Sequence, residues 1–522
     1  MRRNVILIVR DGWGLAPPGP YNAVSLAKKP NDDLLRQRYP HTVLEASGPA
    51  VGLPDGCQGS SEVGHLNIGA GRIVEQEIKR INDSLEQGSL FSSPMFRRAV
   101  ENCTGRQTTL HLMGLVQDEG VHAHQDHLYS LLARSKQEGI QRVLIHFFAD
   151  GRDTPPRSAL VFLRQLRQCI QKLGTGEIST VMGRYYAMDR SRNYALTDQA
   201  YEALTRAEGI RVESAEAAIE RAYREDRTPD GTEMVDEYIP PTIVGNFAGI
   251  KDGDSIIHFN FRQDRAVQLS QAFVEENYPG RRWKKLDVVY AGLTRYYDQF
   301  PYNILPAMDQ AAGMQDLLGE VLSKRKLRQL RISETQKFRH VTSFFNGKRT
   351  MPYEGEDQIE IPSTLDAGLY AVYPEMNADK VTREVIRRIN SREYHFIVLN
   401  YPNCDMVGHT GALAAAIRAV AVVDECVGRV VDAVLDKGGV ALVTADHGNA
   451  EEMFEETSQV PKTSHTTNPV EFFYVAKESP GSRLRPRGIL SDIAPTVLEF
   501  FEIPKPAGMT STSLLVPGLK DS

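Results

Sequence analysis

Three short apolar runs, each followed within a few residues by an aspartate, constrain this chain more than any other feature. Residues 4–9 lead to Asp11, residues 394–401 (YHFIVLNY) to Asp405, and residues 439–445 (GVALVTA) to Asp446. Near-continuous apolar runs of this length are the mark of strands buried on both faces, as in a parallel sheet covered by helices. An acid just past such a strand lies at its carboxyl end. Residues 414–437 supply a long helix between the last two runs, with Ile417, Val420, Val423, Val427, Val430 and Val434 on one stripe and Gly438 as its stop. The expected class is α/β: an open, mostly parallel sheet with helices on both faces and a site along its carboxyl edge.

A chain of 522 residues exceeds one ordinary core. From about residue 75 to residue 306 strands and helices alternate in a separate rhythm. Strands are expected over 110–116, 142–149, 178–182 and 255–261, and helices over 128–137 and 157–172. This reads as a second α/β domain, residues 76–310, inserted into a first made of 1–75 and 311–522. Residues 297–306 read as the linker back. Helices are expected at 316–324 and 493–501. The net charge of -6 argues against nucleic acid as partner. Five scattered cysteines without a CxxC pair suggest reduced thiols in the cytoplasm. The apolar run after the initial Met-Arg-Arg is too short for a signal peptide or a membrane span, so no membrane partner is expected.

The chemistry-bearing residues cluster at the strand ends. Asp405 and His409 are four apart and share a face if their loop winds into a helical turn; Asp446 and His447 are adjacent, and His465 follows in SHTTNPV. Carboxylates and imidazoles without thiolates suit Mn²⁺, Zn²⁺, Co²⁺ or Fe²⁺ better than Ca²⁺, and several carboxylates lean toward Mn²⁺. Asp11 with these five residues is enough for two ions. The stretch QGSSEVGHLNIGAGR reads as a tight turn opening a helix, which leaves the Ser61 hydroxyl beside unpaired backbone N–H groups, a place for phosphate. A plain N-capping serine is the dull alternative, as a loop aspartate or a structural histidine is for each ligand alone. Gly69 and Gly71 are not a dinucleotide fingerprint, since no strand precedes them and Val74 stands where the third glycine belongs. Joint occurrence at three strand ends supports a metal-dependent hydrolase or phosphotransferase and nothing finer.

Read together, DGWG, SEVGHLNIGAGR, GLVQDEGVHAH, DGRD, MGRYYAMDR, NFRQDRA, LRISETQKFRHVT, DMVGHTG, ADHGNAE, SHTTNPV and DIAPT resemble the cofactor-independent phosphoglycerate mutases of the alkaline phosphatase superfamily, in order and over nearly the whole length. The resemblance implies a monomeric cytoplasmic isomerase of glycolysis. It would interconvert 3-phosphoglycerate and 2-phosphoglycerate with two divalent ions, Mn²⁺ first, and without 2,3-bisphosphoglycerate. Ser61 would be the nucleophile that becomes phosphoserine. Asp11, Ser61, Asp446 and His447 would hold one ion, and Asp405, His409 and His465 the other. Lys337 would stabilise the phosphoryl charge, with Glu334 orienting ligands nearby. In the inserted domain His122, Arg152, Asp153, Arg184, Arg190, Arg262 and Arg265 would contact substrate, Asp153 would be the acid/base, and the domain would serve as clamp and lid. Forked guanidinium groups suit a ligand that carries both carboxylate and phosphate. Three departures stand out: Ser60 where the family commonly has Asn, Gln263 where proline is usual, and Ser343 in a more apolar run.

Overall fold

Val5–Arg10 (β1) is buried along its whole length and lies inside an eight-stranded sheet. The chain adds His41–Glu45 (β2) to that sheet and then departs for a second one. The second sheet comprises Leu110–Leu115 (β3), Val143–Ala149 (β4), Glu177–Gly183 (β5), Ile210–Val212 (β6), Thr242–Val244 (β7), Ser255–His258 (β8) and Val289–Gly292 (β9). The chain then returns to the first sheet with Gln329–Glu334 (β10), Glu356–Ile361 (β11), Phe396–Tyr401 (β12) and Val440–Thr444 (β13). A two-stranded ribbon, Phe454–Glu455 (β14) with Val460–Pro461 (β15), precedes Val470–Val475 (β16) and Arg487–Ile489 (β17). The computed structural model describes residues 4–229, 231–297, 299–306, 314–363, 369–455 and 460–516. Two compact units divide the chain: Met1–Gln76 with Met314–Ser522, and Glu77–Gly313. The boundary expected at 310 lies outside the described residues.

The first unit's strand order is β11-β10-β12-β1-β13-β16-β2-β17, parallel except for β16, which pairs antiparallel with both β13 and β2. The second unit runs β6-β7-β5-β4-β3-β8-β9, with β5 and β7 antiparallel and the other pairs parallel. Each is an α/β unit, and the predicted strand at 178–182 is β5. The long helix is Leu413–Asp436, and Val420, Val423, Val427, Val430 and Val434 of its predicted stripe are buried.

Three expectations change. Residues 297–306 are no free linker: Phe300, Ile304 and Leu305 are buried within the second unit, and Asn303 bridges Gly292. Aromatic and branched side chains in that stretch had apolar surface to bury, which outweighed its two prolines. The strand expected over 255–261 ends at His258: the His258 carbonyl still takes the Leu293 N–H at 3.1 Å, but beyond it the Phe261 N–H leaves the ladder for the His122 carbonyl at 2.8 Å. Arg262 and Arg265 therefore sit in a loop and short turn beyond the strand. Glu334 does not reach Lys337; its carboxylate takes the backbone N–H of Asn377 at 2.9 Å, the Asn377 side-chain amide at 3.1 Å and the Ser363 hydroxyl at 3.1 Å.

The helix Ser61–Ala70 is capped by Ser60, whose hydroxyl accepts from the Val63 N–H, so Ser61 is the first helical residue and not the cap. Every residue of that helix except Glu62 is buried. At Gly69 the helix presses on the Phe345 carbonyl so closely that a Cβ would overlap it. Gly69→Ala is expected to lower unfolding stability by ~1–3 kcal/mol, read from urea midpoints, since overpacking a tight contact forces backbone shifts. An unchanged midpoint would mean that this helix is not wedged against residue 345.

Candidate active site

Four adjacent strands of the first unit, β10, β12, β1 and β13, end at one edge of the sheet, and each delivers part of a single cluster. Asp11 follows β1, Asp405 lies on the helix Asn403–Gly408 after β12, and Asp446 and His447 follow β13. Lys337 lies on the helix Thr335–Arg339 that follows β10. Gly12, at φ +76, lets the chain turn so tightly that the Asp405 N–H reaches the Asp11 carbonyl at 3.0 Å; a Cβ there would lie 2.7 Å from the Asp405 Cα. Ser61, at the start of its helix, completes the cluster.

Two sets of three possible ligands result, each with its ligand atoms within 4.8 Å of one another: Asp11, Asp446 and His447, and Asp405, His409 and His465. The Ser61 Oγ lies 2.8 Å from His447 Nε2 and donates to Asp11 Oδ1 at 3.1 Å. Lys337 Nζ donates to Asp11 at 2.7 Å and to Asp405 at 2.6 Å, and touches the Ser61 hydroxyl. Asp11, Asp446 and His447 are fully buried and Asp405 nearly so.

Electrostatics follow from that crowding. Burial opposes ionisation of Asp11, but Lys337 and then His447 outweigh it and hold its carboxyl far below the usual range. Burial would neutralise Lys337 too, yet Asp11, Asp405 and Asp446 hold its ammonium protonated well above the ordinary lysine value. His447 is buried, but Asp446, Asp11 and Asp405 push it up to about 9. Asp405 raises His409, whereas burial and the neighbouring His447 lower His465.

The donor set fits divalent cations. Both Asp446 oxygens are buried without a hydrogen-bond donor; the His65 ring is 3.1 Å away but turns its Nδ1 to the Ser61 carbonyl at 2.9 Å. A buried carboxylate left in that state calls for a positive charge. His409 Nδ1 lies 2.6 Å from the Thr463 carbonyl, His465 Nδ1 2.8 Å from that of Gly59 and His447 Nδ1 3.2 Å from that of Gly448. A carbonyl can only accept, so each ring carries a proton on Nδ1 and directs its Nε2 inward, the nitrogen left to bind a metal once any proton on it is displaced. The Nε2 atoms of His409 and His465 face each other at 3.1 Å, both beside Asp405 Oδ1.

The second unit repeats the plan with opposite charge. His122, the pair Arg152 and Asp153, Arg184 and Arg190, and Arg262 and Arg265 come from segments after β3, β4, β5 and β8, which are adjacent in its sheet. Buried Arg184 donates from one nitrogen, Nη1, to both Asp150 at 2.6 Å and Asp153 at 2.5 Å. Arg190 and Arg262 flank Asp264 at 2.6 and 3.3 Å, and Arg265 donates to the Met188 carbonyl. Arg152 is the outlier, exposed and paired with Glu237 at 3.1 Å. His122 stands 3.9 Å from Asp153 and 3.8 Å from Asp264. Burial, then Arg184, Arg262, Arg265 and Arg190, drive its imidazole far below the usual range, so it is neutral. Arg265 is lowered to about 10 by burial and by Arg184, Arg190 and Arg152, the signature of cations packed without enough anions.

Sequence reasoning missed the residues that orient these groups. Asn400 donates to Asp11 Oδ2 at 2.7 Å and Asn449 to Asp405 Oδ1 at 3.1 Å. The lone polar residue inside IVLNY was a signal for Asn400. Asp150 and Asp264 each stood in a motif of which only the other charged members were taken.

Comparison with known proteins agrees with this geometry. The sequence model of the metalloenzyme superfamily matches residues 3–505, which makes the chain a metalloenzyme of that superfamily. It is 47% identical to the 2,3-bisphosphoglycerate-independent phosphoglycerate mutase of Moorella thermoacetica, with 99% of each chain covered. It is 46% identical to enzyme 1 of that name from Methanosarcina acetivorans, again with 99% of each covered. The crystal structure of Leishmania mexicana phosphoglycerate mutase at low cobalt concentration superposes with a TM-score of 0.81 at 32% identity, over 99% of this chain and 98% of that one. The chain belongs to the 2,3-bisphosphoglycerate-independent phosphoglycerate mutases, a family of isomerases.

The crowded guanidinium groups make a specific test. With chelator present, Arg265→Met is expected to raise the thermal midpoint of the ligand-free chain and to lose most of the stabilisation that inorganic phosphate gives the unsubstituted chain. Equal stabilisation of both by phosphate would remove Arg265 from the anion site.

Proposed function

We propose that this chain interconverts 3-phosphoglycerate and 2-phosphoglycerate through a phosphoserine at Ser61, with no 2,3-bisphosphoglycerate required. The observation that carries the reading is the Ser61 hydroxyl itself, on a residue only 4% exposed, at a helix start and within hydrogen-bond reach of His447, Asp11 and Lys337. Asp11, Ser61, Asp446 and His447 would hold one divalent cation and Asp405, His409 and His465 a second, with Mn²⁺ the preferred metal for this oxygen and nitrogen set. Such a pair of cations, when bound, lowers the pKa of the serine hydroxyl and neutralises charge on the phosphoryl oxygens.

The side chains divide the remaining work. Ser61 Oγ, as the alkoxide, bonds to phosphorus while the bond from phosphorus to the substrate oxygen breaks. Asp153 gives its proton to that departing oxygen. In the return half Asp153 takes the proton from the glycerate's other hydroxyl, whose oxygen bonds to phosphorus and releases Ser61 Oγ, so the alkoxide and the protonated Asp153 are both restored. Two in-line displacements leave the configuration at phosphorus unchanged. Lys337, kept charged by three carboxylates, sits where it can meet the phosphoryl oxygens. His122, Arg152, Arg184, Arg190, Arg262 and Arg265 would bind the carboxylate and phosphate groups of the glycerate. The burial of Ser61 helps keep water from the phosphoserine, whose hydrolysis would turn the chain into a phosphatase.

We also infer a cytoplasmic monomer. Cys103, Cys169, Cys404 and Cys426 are free thiols, and no helix among the described residues is long and apolar enough to cross a membrane.

Chain stripped of metal and given Mn²⁺ with 2-phosphoglycerate alone is expected to make 3-phosphoglycerate. Release of inorganic phosphate instead would identify a metal-dependent phosphatase. Ser61→Ala should cost at least about 1,000-fold in kcat, the scale seen when a covalent nucleophile is removed. Because His447 holds its proton up to about pH 9 in the metal-free chain, cation and proton compete for its Nε2. Mn²⁺ affinity should therefore rise with pH between 6 and 9, with protons released on binding, measurable by calorimetry in two buffers of different ionisation enthalpy. A flat profile would take His447 out of the ligand set.

A further inference from the structure

One buried carboxylate belongs to neither ligand set and contacts none of the ligand side chains, yet it ties together three of the segments that carry them. Glu451 is 2% exposed. Its Oε2 accepts the backbone N–H of Gly14 at 3.0 Å and of Asn449 at 2.8 Å. Its Oε1 accepts the Thr466 hydroxyl and the Asn468 side-chain amide, the latter at 3.0 Å. Gly14 is three residues beyond Asp11, Asn449 two beyond His447, and Thr466 one beyond His465. The first of these segments lies 437 residues from Glu451 along the chain, and all three converge on its side chain.

The surroundings are shaped to that carboxylate. A Cβ at Gly14 would overlap the Glu451 carboxyl group, and one at Gly448 would overlap both Glu451 Oε1 and the Thr466 hydroxyl. Backbone bonds bring the same segments alongside one another: Asn449 and Ala450 donate to the Gly12 carbonyl at 3.1 and 3.0 Å, and Thr466 to that of Gly448 at 3.1 Å. Those bonds align the backbones; the carboxylate at their meeting point fixes how far apart they stand. A buried anion is held there by four donors, and only an ionised carboxylate can accept all four.

We propose that Glu451 is a positioning residue that sets the distance between the two cation sites. It holds the segments that carry Asp11 and His447 of one set and His465 of the other. The inference rests on the two-cation reading above. Replacing the carboxylate by an amide turns one acceptor into a donor that faces donors, so the three segments must part. Groups that orient metal ligands from behind typically change metal affinity by about 10–100-fold when altered.

The test is a Mn²⁺ titration of the metal-free full-length chain at fixed pH, with free Mn²⁺ read by electron paramagnetic resonance, beside the thermal midpoint of each metal-free variant. Glu451→Gln is expected to weaken Mn²⁺ binding at least about 10-fold at both sites. Asp424→Asn is the control for a merely structural loss. Asp424 is equally buried and accepts the Asn31 and Asp32 backbone N–H groups at 3.0 and 2.7 Å, away from the ligands; its loss should lower the midpoint and leave Mn²⁺ affinity unchanged. If Glu451→Gln does not fold, Thr466→Val removes one of the four bonds and should weaken the site containing His465 several-fold while sparing the other. Wild-type affinity at both sites in Glu451→Gln overturns the proposal, as does no change in Thr466→Val, or an affinity loss in Asp424→Asn as large as that in Glu451→Gln. Failure of the unsubstituted chain to bind two Mn²⁺ ions would instead overturn the two-cation reading itself.

Discussion

Three carboxylates, Asp11, Asp405 and Asp446, are buried within reach of one ammonium group, and the first unit is organised to tolerate that concentration of charge. Lys337 bridges Asp11 and Asp405, while Asp446 is left without a hydrogen-bond donor on either oxygen. Like charges packed out of water repel strongly, so the arrangement persists only if the backbone cannot relax. Four adjacent parallel strands supply that rigidity; three of them, β1, β12 and β13, are apolar along nearly their whole length, and the acids and the ammonium group stand just beyond the strand ends. The serine hydroxyl gains its chemical character from this frame. An isolated serine at a helix start would be an ordinary alcohol.

Both units obey the same rule with opposite sign. In the first, adjacent parallel strands end in acids and imidazoles; in the second, they end in guanidinium groups, where burial and then the neighbouring arginines depress Arg265 to about 10. Neutral His122 within the second set is consistent with that crowding, since a further positive charge there would be repelled. Asp150 and Asp264 offset part of the charge and, with Asp153, hold the arginines in place.

Much of the first unit could be read in advance because its signals are local. An apolar run followed by Asp announces β1, β12 and β13, and a valine stripe announces the long helix to within a residue at each end. The order of the strands was not legible, because it depends on contacts between segments hundreds of residues apart. The antiparallel β16 was missed although VEFFYV is strongly strand-forming; nothing in it declares direction. Residues that act through others were the least visible. Glu451 looks unremarkable in the sequence and Asn400 shows only as the lone polar residue of its apolar run; what folding places beside them gives them their role. The partners of Glu334, Asn377 and Ser363, were equally invisible, since closeness to Lys337 in sequence said nothing about which way its side chain turns.

The central claim, that Ser61 carries the phosphoryl group during turnover, is tested most directly by acid-quenching the Mn²⁺-loaded chain within milliseconds of mixing with 2-phosphoglycerate. The quenched protein is then digested and its phosphopeptides mapped by mass spectrometry. Phosphate should be found on Ser61, should accumulate as fast as product forms, and should disappear once the metal is chelated before mixing. Turnover at full rate with no phosphate on Ser61, or with phosphate on another residue, would contradict it.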